Sequence, residues 1–183
     1  NLHQDSAMSD TAVNNTSSLS ALLQNIDMGP CNSIQFAYAK LQLAQSMLCK
    51  NKAESKLKDI ENKQAEQKAV ADMISRARAL KQRCENKDYD QGTGTFMPED
   101  MVQFFKDHDL AYDHLGDDDL HNKDEWAYNL QSLTNYQESI SNSTQTDMVL
   151  LQDFISQYNS YLQGASAQVS QGGQTLTTLA RGN

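Results

Sequence analysis

From Asn32 or Ser33 to about Lys87 the chain contains neither glycine nor proline, and no other feature narrows its fold so far. Such a run lacks the residues that break a helix or set up a tight turn, and it is several times longer than the mean globular helix of about 11 to 12 residues. One long helix over 34–87 is expected, with Asn32 or Ser33 as its N-cap. Its first third is strongly apolar, through Ile34, Phe36, Ala37, Tyr38, Leu41, Leu43, Ala44, Met47 and Leu48. Further on, Leu57, Ile60, Val70, Met73, Ala77, Leu80 and Cys84 recur mostly at steps of three and four. That is the spacing of a coiled-coil seam, with Lys, Glu and Gln on the outside.

A second helical pattern starts near Asn122 or Lys123 and fills 126–183, carrying Trp126, Leu130, Leu133 and Ile140. From Met148 the apolar positions advance by three and four in alternation through Leu151, Ile155, Tyr158, Leu162, Ala165 and Val169. They then step by seven to Leu176 and by three to Leu179. Regularity over about four heptads is a specific coiled-coil signal. Gly164, Gly172 and Gly173 interrupt it, each weakening an isolated helix by about 1 kcal/mol, so the last turns should need a partner to stay ordered.

The remaining segments are short. Residues 1–33 read as an arm that is polar and aperiodic to Ser18, followed by an amphipathic pattern of Leu19, Leu22, Leu23 and Ile26 that Gly29-Pro30 stops. In the insert 88–125, Gly92 and Gly94 end the long helix, and Pro98, Glu99 and Asp100 open a short one, as the helix dipole favours. The aromatic face carrying Phe104 and Phe105 needs a cover, to which Leu110, Tyr112 and Leu115 add a small cluster, and Gly116 to Asp119 makes a turn.

Only two of the 183 residues are proline and eight are glycine, which excludes a collagen-like chain and a compact all-β fold with its frequent turns. No stretch reaches the roughly 18 to 20 apolar residues of a membrane helix. A 38% hydrophobic content with one Trp and five Phe leaves a monomer with a thin core, which favours elongation or oligomerisation. The net charge of −9 argues against nucleic acid as the main partner, yet it is unevenly spread. Residues 34–87 hold twelve Lys and Arg against six acids, whereas 88–125 hold two against twelve. The acidity therefore belongs to the insert.

That insert holds the densest chemistry: Asp107, His108, Asp109, Asp113, His114, Asp117, Asp118, Asp119, His121, Asp124 and Glu125. Asp117 and Asp119 imitate the start of a calcium loop, but Asn122 stands where the turn glycine belongs and Tyr128 where the twelfth-position Glu belongs. A solvated acidic turn is expected, with a weak adventitious cation site as the alternative. No bound metal or cofactor is expected, and no enzymatic role, because nucleophile elbow, P-loop and dinucleotide motifs are all missing. Cys31, Cys49 and Cys84 are odd in number and lack CxxC spacing, so buried thiols are expected rather than a disulfide framework. The apolar run 34–48 is interspersed with Gln35, Lys40, Gln42 and Gln45, which favours burial against other helices over a membrane surface.

Phe36-Ala37-Tyr38 at the entry of the long helix and Met97-Pro98-Glu99-Asp100-Met101-Val102-Gln103-Phe104-Phe105 in the insert, set between a polar arm and a Gln, Ser and Thr-rich C-terminal coil, resemble the EspA and SseB group of type III secretion proteins. The resemblance spans nearly the whole layout but only these two stretches in residues; the three cysteines and the acidic turn depart from it. It implies an all-α fold in which two long helices form an antiparallel coiled-coil hairpin around a small acidic insert. It further implies assembly into a helical filament, a secreted extracellular appendage through which unfolded effector proteins pass. Phe36, Tyr38, Leu41, Met148, Leu151, Ile155, Tyr158, Leu162, Val169, Leu176 and Leu179 would then form the self-assembly interface, with Asp117, Asp118, Asp119, Asp124 and Glu125 facing outward. The implied partners are other copies of the chain, the needle subunit or tip, pore-forming translocators, a dedicated cytosolic chaperone and effectors in transit. The alternative is a monomeric coiled-coil adaptor, or a needle-tip protein of the IpaD type, that does not polymerise.

Overall fold

The computed structural model describes residues 34–172. Expectations for 1–33, including the apolar pattern from Leu19 to Ile26 and Cys31, and those for Leu176 and Leu179, lie outside the described residues, as does the side chain of Val169. The protein is mostly helical, as expected. Helix α1 spans Ile34–Glu85, strand β1 Thr95–Phe96, helix α2 Glu99–Asp107, a 3₁₀ turn Leu115–Asp117, strand β2 Leu120–His121 and helix α3 Lys123–Gly172. No helix among the described residues is long and apolar enough to cross a membrane. The described residues divide into two compact units, one made of 59–146 and the other of 34–58 with 147–172; α1 and α3 contribute to both.

Unit 59–146 has a continuous core. Val70, Ile74, Ala77 and Cys84 of α1 meet Trp126, Leu133 and Ile140 of α3, and Met101, Val102, Phe104 and Phe105 of α2 close over them with Met97 and Tyr112. The steps of three, four and seven along the two long helices put one face of each into this core. The aromatic face of α2 is thus covered within the unit, Phe105 lying 5.2 Å from Tyr112 and Phe104 stacking 4.1 Å from His108. Polar anchors flank it. Tyr136 donates its hydroxyl to Glu66 at 2.8 Å, and burial together with that carboxylate pushes the phenol up to about 12.

Side-chain and backbone chemistry explains where the elements stop. At the end of α1, Lys87 adopts φ 60, Asp88 N–H bonds to Arg83 O at 2.8 Å and Lys87 N–H to Cys84 O at 3.1 Å. This is a Schellman termination, which usually takes glycine. The same motif ends α2 at Asp109, with φ 53. At the start of α3, Asn122 Oδ1 accepts the N–H groups of Asp124 and Glu125, while Glu125 Oε1 accepts that of Asn122. The reciprocal bonds form a capping box.

The two-residue antiparallel ladder, with Thr95 opposite His121 and Phe96 opposite Leu120, is an element that the sequence reading does not anticipate. It is too short to show period-two alternation. Gly94 enters it so closely that a Cβ there would stand 2.7 Å from His121 O. The acidic insert finds its counter-charges on the same chain: Arg76 makes a bidentate pair with Asp100, and Arg83 bonds to Asp88 and Asp90.

Candidate functional site

The unit formed by 34–58 with 147–172 packs differently. Its buried cluster is Ala39, Leu43 and Ala165, with Phe36 and Leu162 half-buried against them. Ala44, Leu48 and Cys49 are buried as well, and polar contacts join the two helices: Lys56 pairs with Asp147 at 3.3 Å, Cys49 Sγ meets Gln157 Oε1 at 3.6 Å, and Lys52 lies over the Phe154 ring. Burial pushes the Cys49 thiol up, in keeping with an inert buried cysteine. Gly164 lets the Gln42 side chain approach to within 2.6 Å of where its Cβ would lie.

Apolar surface that a core would hide is instead displayed. Of thirteen large hydrophobic side chains exposed among the described residues, ten belong to this unit: Ile34, Tyr38, Leu41, Met47, Leu57, Met148, Val149, Leu150, Ile155 and Tyr161. Between them runs a groove of about 300 Å³. Ala53 and Leu57 of α1 form one wall, Leu151, Ile155 and Tyr158 of α3 the other, and Lys50 and Glu54 stand at its edge. The three-and-four spacing of 151, 155 and 158 is what brings those side chains to one wall.

The residues picked out from sequence for self-assembly fall into three groups. Tyr38, Leu41, Met148 and Ile155 are exposed, Tyr38 by 58% and Ile155 by 45%. Leu151 and Tyr158 are half-buried and line the groove with Ile155. Phe36 and Leu162 serve the internal packing of their own unit. Leu57, which is exposed and lines the same groove, is absent from the sequence-derived set, although its place in the α1 seam pattern is a usable signal.

In the acidic insert, Asp117, Asp118, Asp119 and Asp124 are exposed on the single chain. Glu125 corrects the expectation. Its side chain is only 22% exposed, because one carboxylate oxygen caps α3 while the other turns toward His121. Burial, and after it the neighbouring Asp113, pushes the Glu125 carboxyl up to about 7. His121, read from sequence as part of a solvated acidic turn, is 1% exposed. Its ring meets Trp126 edge-on at 5.2 Å. Burial pushes the imidazole pKa down, against the opposing pull of Asp113, Asp119 and Asp118, so the neutral ring is favoured. Asp113 itself is held by its backbone N–H, which donates to Asn129 Oδ1 at 2.8 Å.

Compared with models of known protein families, with curated protein sequences and with solved structures, the chain matches none.

Proposed function

We propose that the protein is the structural subunit of an extracellular type III secretion filament, a homopolymer whose hollow interior conducts unfolded effector proteins. In this reading α1 and α3 make an antiparallel coiled-coil hairpin. One observation carries it: ten of the thirteen exposed large hydrophobics crowd into the unit with the thinnest buried cluster, around a groove lined by carbon. Burial stabilises such surface by roughly 25 cal/mol per Å², so the unit gains most by packing against another copy. A contact that repeats head to tail without closing yields a helical filament.

The sequence resemblance at Phe36 to Tyr38 and Met97 to Phe105 supports the same assignment and supplies the partners: the needle or its tip, pore-forming translocators and a dedicated cytosolic chaperone that keeps the apolar face covered before export. Neither the exposed surface nor the resemblance calls for catalysis. Electron microscopy of the purified chain over a range of concentrations tests the reading. Ordered filaments are expected. A chain that stays monomeric at every concentration supports the adaptor or needle-tip alternative instead.

A further inference from the structure

Asp113, His121 and Glu125 converge inside the unit formed by 59–146. A ligand atom from each lies within 4.8 Å of the other two. His121 Nδ1 is 3.6 Å from Asp113 Oδ2 and 3.8 Å from Glu125 Oε2. These gaps exceed the roughly 2.7–3.2 Å of a hydrogen bond to nitrogen. They approach the spacing of two atoms sharing one metal: ligands on a tetrahedral zinc with bonds of about 2.0–2.2 Å stand about 3.3–3.6 Å apart. Both nitrogens of His121 and Oδ2 of Asp113 are buried without a hydrogen-bond partner. A native interior rarely leaves such atoms unpaired, and each instance asks for an explanation.

We propose that Asp113, His121 and Glu125 bind a divalent first-row transition metal, zinc being the natural probe, with a water completing the coordination. This goes against the sequence expectation of an insert without a metal, and it is independent of polymer assembly. A nitrogen ligand with two carboxylates suits zinc or a neighbouring transition metal better than calcium, which takes oxygen ligands. The supports of each ligand are in place. Glu125 spends Oε1 on the Asn122 N–H and so presents Oε2 to His121. The backbones of Asp113 and His121 are fixed, the one through Asn129 and the other by the pairing of β2 with β1, and a hydrogen bond on the carboxylate, as Glu125 has, is the kind of outer contact that orients a metal ligand. The role is structural: the ion ties the 108–114 loop to the β2–α3 junction.

The test uses the full chain, stripped with a chelator, dialysed and titrated with zinc by calorimetry, with cobalt absorption as a second readout. One zinc per chain is expected, with a cobalt spectrum lacking a thiolate charge-transfer band, which rules out the cysteines. Glu125→Gln and Asp113→Asn, which preserve shape, should each weaken zinc by at least about ten-fold, while Asp124→Asn on the exposed surface should not. Circular dichroism confirms that the variants fold. Substoichiometric zinc, a thiolate band, or affinity unchanged in both variants overturns the proposal.

Discussion

Trp126 donates its indole N–H to the Thr95 hydroxyl at 2.8 Å, and that hydroxyl in turn faces Leu80 O at 3.1 Å. One small side chain on a two-residue strand thus ties α3 to α1 through the only polar atom of the largest buried residue. Thr95→Val keeps the shape and removes the oxygen, leaving the indole N–H buried and unpaired. Urea unfolding should show a loss of about 1–3 kcal/mol. Thr95→Ser, which keeps the oxygen, should cost about 1 kcal/mol for the lost methyl. A Thr95→Val protein as stable as the wild type would show that the bond contributes nothing.

Lys87 ends α1 in the left-handed region that glycine occupies without a steric penalty. Lys87→Gly should therefore stabilise the protein by about 0.5–1 kcal/mol, relief of the strained conformation outweighing the added freedom of the unfolded chain. Thermal unfolding checks it, and a lowered midpoint would count against the Schellman termination.

Gly92 and Gly94 sit two residues apart and should respond differently to the same change. A Cβ on Gly92 meets open space and suffers only from φ 58, whereas on Gly94 it meets the backbone of His121 at 2.7 Å. Gly94→Ala should cost about 1–3 kcal/mol and loosen the β1–β2 ladder, with Gly92→Ala costing less. Hydrogen exchange at Met97, whose N–H bonds to Asp119 O, should accelerate only in the Gly94 variant.

Asp90 accepts hydrogen bonds from Arg83 and from the Phe96 N–H, which hold its carboxyl below the usual carboxylate range. A group whose folded pKa is depressed stabilises above its unfolded value and loses that contribution as pH falls through the folded one. The turn from 88 to 96 should thus open in acid, below the ordinary Asp range. Phe96 amide exchange, compared at each pH with Asp90→Asn, reads this; an identical acid response in both proteins would exclude Asp90 as the cause.

Much of the helical framework was legible because it rests on local rules. The glycine- and proline-free run became α1, and the pattern starting near Lys123 became α3. The demand of Phe104 and Phe105 for a cover was also readable, though not what meets it. What stayed hidden depends on distant residues. Thr95–Phe96 and Leu120–His121 are too short to carry a strand pattern, and His121 looked solvated because nothing in its neighbours reveals that Trp126 and the ladder enclose it. Asn122 with Glu125 three residues later was a usable capping-box signal, and it would have turned Glu125 inward. The acidic charge of the insert read as an outer surface, yet Arg76 and Arg83 of the basic helix already answer part of it.

In the proposed filament, the apolar groove of the unit formed by 34–58 with 147–172 drives polymerisation. Ile155 lines that groove and is 45% exposed, while Tyr128 is comparably exposed in the other unit. Sedimentation and electron microscopy of Ile155→Asp beside Tyr128→Asp, both checked for helical content by circular dichroism, test it most directly. Filaments are expected from the wild type and from Tyr128→Asp, and none from Ile155→Asp at wild-type helicity. Filaments of normal length from Ile155→Asp would contradict it.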